Sequence, residues 1–231
     1  MKKFGQIVFA LLWLFSVTGC IDDNDDQPPR YLELGKTAED QYDVPVVITD
    51  SETVLRIEEY AGDFDFEESE RVLIKYEITG EQDREERDDQ NTDSEGDYTV
   101  KALSIQEVVT KQVVELNEEN RDTIGSDPLF VNDIWLGGGY LNIDFSFYGD
   151  EKVHYINVVK DPDEQPEEET EIHLEIRHDA RGDDFRQRYR GLMSFYLDSL
   201  EVEGANSVKL VFENQDHYST PFPGFEIEYE Y

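Results

Sequence analysis

Apolar and polar residues alternate with a period of two along most of this chain, and apolar spacings of three to four are almost absent. The end of the chain is the clearest case. Phe225, Ile227, Tyr229 and Tyr231 alternate with Glu226, Glu228 and Glu230, which predicts a strand with one apolar and one acidic face. Residues 140–148 repeat the pattern, with Leu141, Ile143, Phe145 and Phe147 opposing Asn142, Asp144 and Ser146. In the first half the strongest strand is 71–79, where Val72, Ile74, Tyr76 and Ile78 share a face. Strands are also predicted at 44–49 and 54–60, parted by the turn Asp50-Ser51-Glu52. Residues 98–109 begin with Tyr98, Val100 and Ala102, slip phase near Ala102-Leu103 and continue with Ile105. A slip inside a long strand predicts a bulge or sharp bend. Short strands with one bent member fit a small closed barrel.

Residues 80–97 are almost all polar and rich in acids, and read as a long loop. Residues 117–128 are polar, contain Gly125 and Pro128, and are expected to separate two domains. The second half then offers strands at 129–136, 140–148, 153–160, 172–177, 191–200, 208–212 and 225–231. Gly137-Gly138-Gly139 between the first two reads as a hairpin turn. So many short strands in about a hundred residues predict a two-sheet sandwich.

The first residues follow different rules. Lys2 and Lys3 precede an apolar run of about 14 residues, shorter than the roughly 20 that cross a bilayer as a helix. That arrangement predicts a secretory signal over 1–19. Val17-Thr18-Gly19-Cys20 resembles the bacterial lipobox, which implies cleavage before Cys20 and lipid attachment to its thiol. Cys20 is the one cysteine in the chain, so no internal disulfide can form. Lipidation with at least two acyl chains would anchor the protein firmly to a membrane. The stretch 20–40 is expected to be the lipidated Cys and an acidic, Pro-containing linker. Its Asp22, Asp23, Asp25 and Asp26 resemble the export signal that follows the lipidated Cys in surface lipoproteins of some Gram-negative anaerobes. The expected location is the outer membrane, at the cell surface or else on its periplasmic face.

Charge then narrows the partners. With 56 acidic against 20 basic residues the chain carries −36. That disfavours nucleic acids and anionic lipid head groups, both of which need a basic face. Thirteen Phe and thirteen Tyr still supply enough bulk for a core.

Several segments together resemble the NigD-like lipoproteins. They are Arg71-Val72-Leu73-Ile74, Phe130-Val131-Asn132-Asp133, Gly139 to Ile143, His154-Tyr155-Ile156-Asn157, and Leu174 to Ala180 followed by Gly182-Asp183. The resemblance covers most of the chain and is strongest over 129–200. It implies an all-β protein: an OB-like barrel, assigned to 41–117, and an immunoglobulin-like antiparallel sandwich, assigned to 128–231. It implies an accessory or bacteriocin-immunity-type role, and it supplies no catalytic residues. The long acidic loop at 80–97 departs from the family pattern.

No catalytic signature emerges from the residues themselves. The triple glycine is followed by neither Lys-Ser/Thr nor a helix, so it is no phosphate loop. His154, His173, His178 and His217 have no metal-site spacing. His178-Asp179 could pair a base with its orienter, but no nucleophile accompanies it. The acidic runs 22–26, 63–67 and 161–171 lack the Ca²⁺-loop pattern, leaving at most weak Ca²⁺ binding and no other cofactor. Two features point to binding. Arg186, Arg188 and Arg190, at spacing two, would share a strand face, either pairing with acids on a neighbouring strand or docking a carboxylate-bearing ligand. Trp135 and Tyr140 flank the glycine turn, and residues 218–225 mix aromatics with Pro221 and Pro223. The expectation is a non-enzymatic, lipid-anchored module binding an unknown protein. A surface glycan is the alternative partner, and a hydrolase is the remote third reading.

Overall fold

The computed structural model describes residues 28–40, 42–60, 62, 64, 70–82, 97–213 and 224–231. Inward positions of the first five strands close a barrel. These are β1 (Arg30–Glu39), β2 (Pro45–Thr49), β3 (Val54–Tyr60), β4 (Arg71–Gln82) and β5 (Asp97–Glu107). The circuit runs β1-β2-β3-β5-β4 and back to β1, with β3 and β5 parallel and the other neighbours antiparallel. This is the OB-like barrel expected. Val47, Leu55, Val72, Ile74, Tyr76, Val100, Ala102 and Ile105 fill it. The phase slip in β5 is a bulge. Tyr76 faces Ala102 and Lys75 faces Ser104, so Leu103 is the extra residue that lets both Ala102 and Ile105 point inward.

Strand β1 corrects the sequence-based linker, which ends before Arg30 rather than at residue 40. Its inward positions explain why alternation misses it. Leu34 is buried, but the next buried positions carry Gly35 and Thr37, and Leu32 faces solvent. A Cβ on Gly35 would lie 2.6 Å from the Ile48 carbonyl oxygen and from Val47 Cγ1, so glycine is what lets β1 approach β2. Residues 80–82 and 97, read from sequence as part of the acidic loop, belong to strands. β4 runs on to Gln82 and β5 starts at Asp97; residues 83–96 lie outside the described residues.

The sandwich contains β6 (Thr110–Gln112), β7 (Val114–Glu115), β8 (Phe130–Gly137), β9 (Tyr140–Gly149), β10 (Tyr155–Lys160), β11 (Glu171–Asp179), β12 (Gln187–Tyr196), β13 (Ser207–Phe212) and β14 (Phe225–Glu230). One sheet has the order β14-β13-β11-β10-β7 and the other β6-β12-β9-β8. Leu141, Ile143, Phe145, Ile176, Phe195, Leu210 and Phe212 are among the side chains packed between them. The sandwich is not antiparallel throughout: β6–β12, β7–β10 and β11–β13 are parallel pairs. β8 and β9 meet at the glycine turn, where Gly138 and Gly139 have φ of 59° and 80°. Two consecutive positive φ values make the primed turn that suits strand twist.

The domains meet earlier than the polar stretch 117–128 suggests. The segment holding β6 and β7 starts after Val108-Val109 and serves both sheets, one after the other. Pieces of three and two residues are too short to display a period. Residues 117–128 are instead a turn within the sandwich, where Asn117 Oδ1 accepts from the backbone of Glu119 and Asn120.

Candidate functional site

The outer face of the β6-β12-β9-β8 sheet carries most of the residues singled out from sequence, but not as one group. β12 begins at Gln187, four residues before the expected start, so Arg188 and Arg190 lie on that face and Arg186 precedes the strand. Arg190 is claimed by Asp144 on β9, donating from Nε at 2.9 Å and from Nη2. Arg186 pairs with Asp150 and Asp184. Arg188 stacks instead over the Phe130 ring, its Cζ 4.6 Å from the centroid. The expected row therefore divides into two acid-paired arginines and one cation–π contact. Trp135 is half-buried on the same face, opposite Asn142. Tyr140 is buried and cannot act as an exposed stacking surface. Cys20, Asp22, Asp23, Asp25, Asp26 and His217 lie outside the described residues, as do most of 218–225 and most of 63–67.

What buries Tyr140 is the domain junction. Arg71, the first residue of β4, is 3% exposed and projects from the barrel onto the sandwich face. Its Cζ lies 4.5 Å above the Tyr140 ring. Nη1 and Nη2 grip both oxygens of Asp50, which stands in the β2–β3 turn. Nη2 also donates to Asn142 Oδ1 at 3.0 Å, and Nε to Ser194 Oγ at 3.3 Å. Ser194 Oγ donates to the same Asn142 oxygen at 2.7 Å. Asn142 Nδ2 is buried there with no hydrogen-bond partner. Backbone bonds reinforce the contact: Val108 N–H donates to Arg71 O, and Ser194 N–H to Val109 O. Nothing in the sequence marked Arg71, Asp50 and Ser194 as partners in one site, because each falls in an ordinary strand or turn.

At the far end of the sandwich lies a second buried polar cluster, in which His178 meets His154. His178 Nδ1 is 3.0 Å from the Pro128 carbonyl oxygen, which can only accept, so Nδ1 bears the proton. Burial, chiefly, holds the His178 pKa below its usual value. His178 Nε2 is 2.8 Å from His154 Nδ1. His154 Nε2 faces Asp183 Oδ2 at 3.1 Å. Backbone N–H donation, first from Asp150 at 2.6 Å, holds the Asp183 carboxyl far below the usual range, so it too only accepts. His154 thus stands between His178 Nε2 and the Asp183 carboxylate. Its side chain is 3% exposed, that of Asp183 5%, and Phe147 stacks on it at 4.3 Å.

The chain of residues ties the β9–β10 turn to the β11–β12 turn. Asp183 accepts from Lys152 N–H, and Lys152 Nζ donates to the carbonyls of Arg181 and Gly182. No serine, threonine or cysteine is among its described partners, so it can hold turns in place but presents no nucleophile. Sequence gives no hint of it. His154 and His178 are 24 residues apart and meet because β10 and β11 pair with Ile156 opposite His178. His173 sits elsewhere, bonded to Glu171. Among the described residues no three metal-ligating side chains cluster, and Asp161, in the acidic run, is engaged by Arg121. No helix among them is long and apolar enough to cross a membrane.

Comparison with known proteins agrees with this architecture. Residues 112–221 match the NigD-like C-terminal beta sandwich domain, a span that begins at β6 and not at the polar stretch that follows. No curated protein matches the chain. Three solved structures resemble it over nearly their whole length. A protein of unknown function from Bacteroides vulgatus is 20% identical with a TM-score of 0.67, covering 88% of this chain and 91% of that one. A toxin-related protein from Parabacteroides distasonis is 23% identical, TM-score 0.65, covering 87% and 94%. A NigD-like immunity protein from Bacteroides caccae is 23% identical, TM-score 0.61, covering 88% and 93%. At such identities the likeness is one of fold. Residues 112–221 thus match the NigD-like C-terminal beta sandwich domain, and the chain as a whole shares the fold of these proteins.

Proposed function

We propose that this chain is a lipid-anchored, non-enzymatic accessory module of the bacterial outer membrane that binds another macromolecule, with an immunity-type protein partner as the leading case. The observation that carries the reading is the junction at Arg71. A buried guanidinium bonded to Asp50, Asn142 and Ser194 fixes two general binding scaffolds as one body. Neither of the two buried polar clusters offers a nucleophile with its base. The names of the Parabacteroides distasonis and Bacteroides caccae proteins, toxin-related and NigD-like immunity, favour an accessory role over catalysis.

The anchor rests on the lipobox-like Val17 to Cys20, and surface display on the acidic residues after it. Crosslinking of intact cells carrying the C-terminally tagged chain tests the reading. One stoichiometric partner, lost together with membrane association in a Cys20→Ala variant, is the expected result. Tagged protein that remains uncrosslinked, or that stays membrane-bound without Cys20, overturns the corresponding half. Protease shaving of the same cells decides the face: loss of the tag means surface display, survival means the periplasmic side. The glycan alternative loses Tyr140 to burial, but it gains a different set of residues on the same sheet.

A further inference from the structure

The outer face of the β8–β9–β12 sheet has two unlike halves. Near the barrel, the row Trp135–Asn142–Ser194 and the adjoining Tyr140 lie under or beside Arg71. Away from the barrel the face is open. Tyr148 on β9 is 40% exposed, stands opposite Arg188 on β12 and meets the Phe130 ring edge-on at 5.8 Å. Arg188 covers Phe130 from the other direction. Beside this aromatic group, Asn132 Nδ2 donates to Asp144 and to Ser146 Oγ, and Arg190 closes the row on Asp144.

Arg188 is exceptional in so acidic a chain. Arg30, Arg56, Arg71, Arg121, Arg177, Arg186 and Arg190 each have a carboxylate partner. Among the described arginines, only Arg181 and Arg188 sit over rings without one. Arg181 lies over Tyr155 of the other sheet. Arg188 combines a guanidinium without a carboxylate partner among the described residues, the exposed Tyr148 opposite it and the exposed amide of Asn132 on one face.

We infer that this open half is a platform for a sugar bearing a single carboxylate; the inference rests on the reading of the chain as a binding module. The sugar ring lies on Tyr148, its carboxylate takes the paired N–H donors of Arg188, and its hydroxyls meet Asn132 and Arg190. Charge argues for one carboxylate and not many. The net −36 repels a polyanion along its length, whereas a single carboxylate next to Arg188 is attracted within a Debye length of about 8 Å.

Calorimetric titration of the full chain with 3′-sialyllactose and with a glucuronate-capped disaccharide tests this, with lactose and heparin as comparisons. Saturable binding of at least one acidic sugar is expected, with lactose and heparin weaker by about tenfold or more. Arg188→Ala should weaken that binding about tenfold and Tyr148→Ala about fivefold, with Arg181→Ala unchanged. Both varied side chains are exposed, and an unaltered melting curve shows that each variant folds. Equal binding of lactose, unchanged binding by Arg188→Ala, or no saturable binding of either acidic sugar up to about 10 mM overturns the platform. If the platform fails while cell crosslinking yields one protein partner, the binding-module reading stands without it; if both fail, both are wrong.

Discussion

The junction at Arg71 and the cluster at His154 are both charged groups sealed inside a protein, yet they differ in what they join and in how fully they are satisfied. Arg71 spans two domains and leaves Asn142 Nδ2 without a partner. His154 joins two turns of one domain, and every polar atom in its chain from Pro128 to Asp183 has a partner. Buried ion pairs recover their desolvation cost only when geometry and hydrogen bonding are complete. By that measure the histidine chain is a finished fastening. At the junction the partners of Arg71 come from both domains, Asp50 from the barrel and Asn142 and Ser194 from the sandwich.

The largest effect should come from breaking the junction. Arg71→Met leaves Asp50 facing the sandwich unpaired and is expected to cost about 3–5 kcal/mol. Calorimetry should then resolve two transitions where the parent shows one; a single unshifted transition would mean that the domains are coupled by other contacts. Gly137→Ala attacks the same place from the other side, since a Cβ there would run into the Asp50 carboxylate. Overpacking of that kind costs about 1–3 kcal/mol, read as a lower urea midpoint.

Effects at the histidine chain should be confined to the sandwich and should depend on pH. His178 resists protonation when folded, so its contribution is complete above the unfolded value near 6.5 and is lost as pH falls from there toward the lower folded value. Stability should therefore decline from pH 7 to 5 by no more than about 1.4 kcal/mol per unit from this group. His178→Gln, which keeps a donor and an acceptor, should flatten that decline; an unchanged slope would locate it elsewhere. Asp183 acts lower on the scale. Its folded value is depressed, so its contribution persists above the ordinary carboxylate value near 3.9 and disappears in stronger acid. Asp183→Asn should lower the melting temperature at neutral pH and remove that acid slope. The smallest change is expected from Arg190→Ala. The Arg190 side chain is 73% exposed, and losing its pair with Asp144 should cost no more than about 1 kcal/mol in chemical denaturation.

The sequence alone determined the strand content, because burying one face of a sheet demands period-two alternation, and strands such as β11 and β14 display it fully. It also marked the bulge at Leu103, since a phase slip is itself a one-dimensional signal. Its blind spots have physical causes. β1 is hidden by Gly35 and Thr37 at inward positions, and β6 and β7 by their brevity. Of the candidate site residues, the pattern rightly put Arg188 and Arg190 on one face, but it could not tell that Asp144 occupies one and Phe130 the other. Only the tertiary structure decided that Tyr140 is buried beneath Arg71, that the domains hand over at Val108-Val109, and that His154 meets His178. Those outcomes depend on register and on contact between segments far apart in the chain. A period records which way a side chain points, and not what stands opposite it.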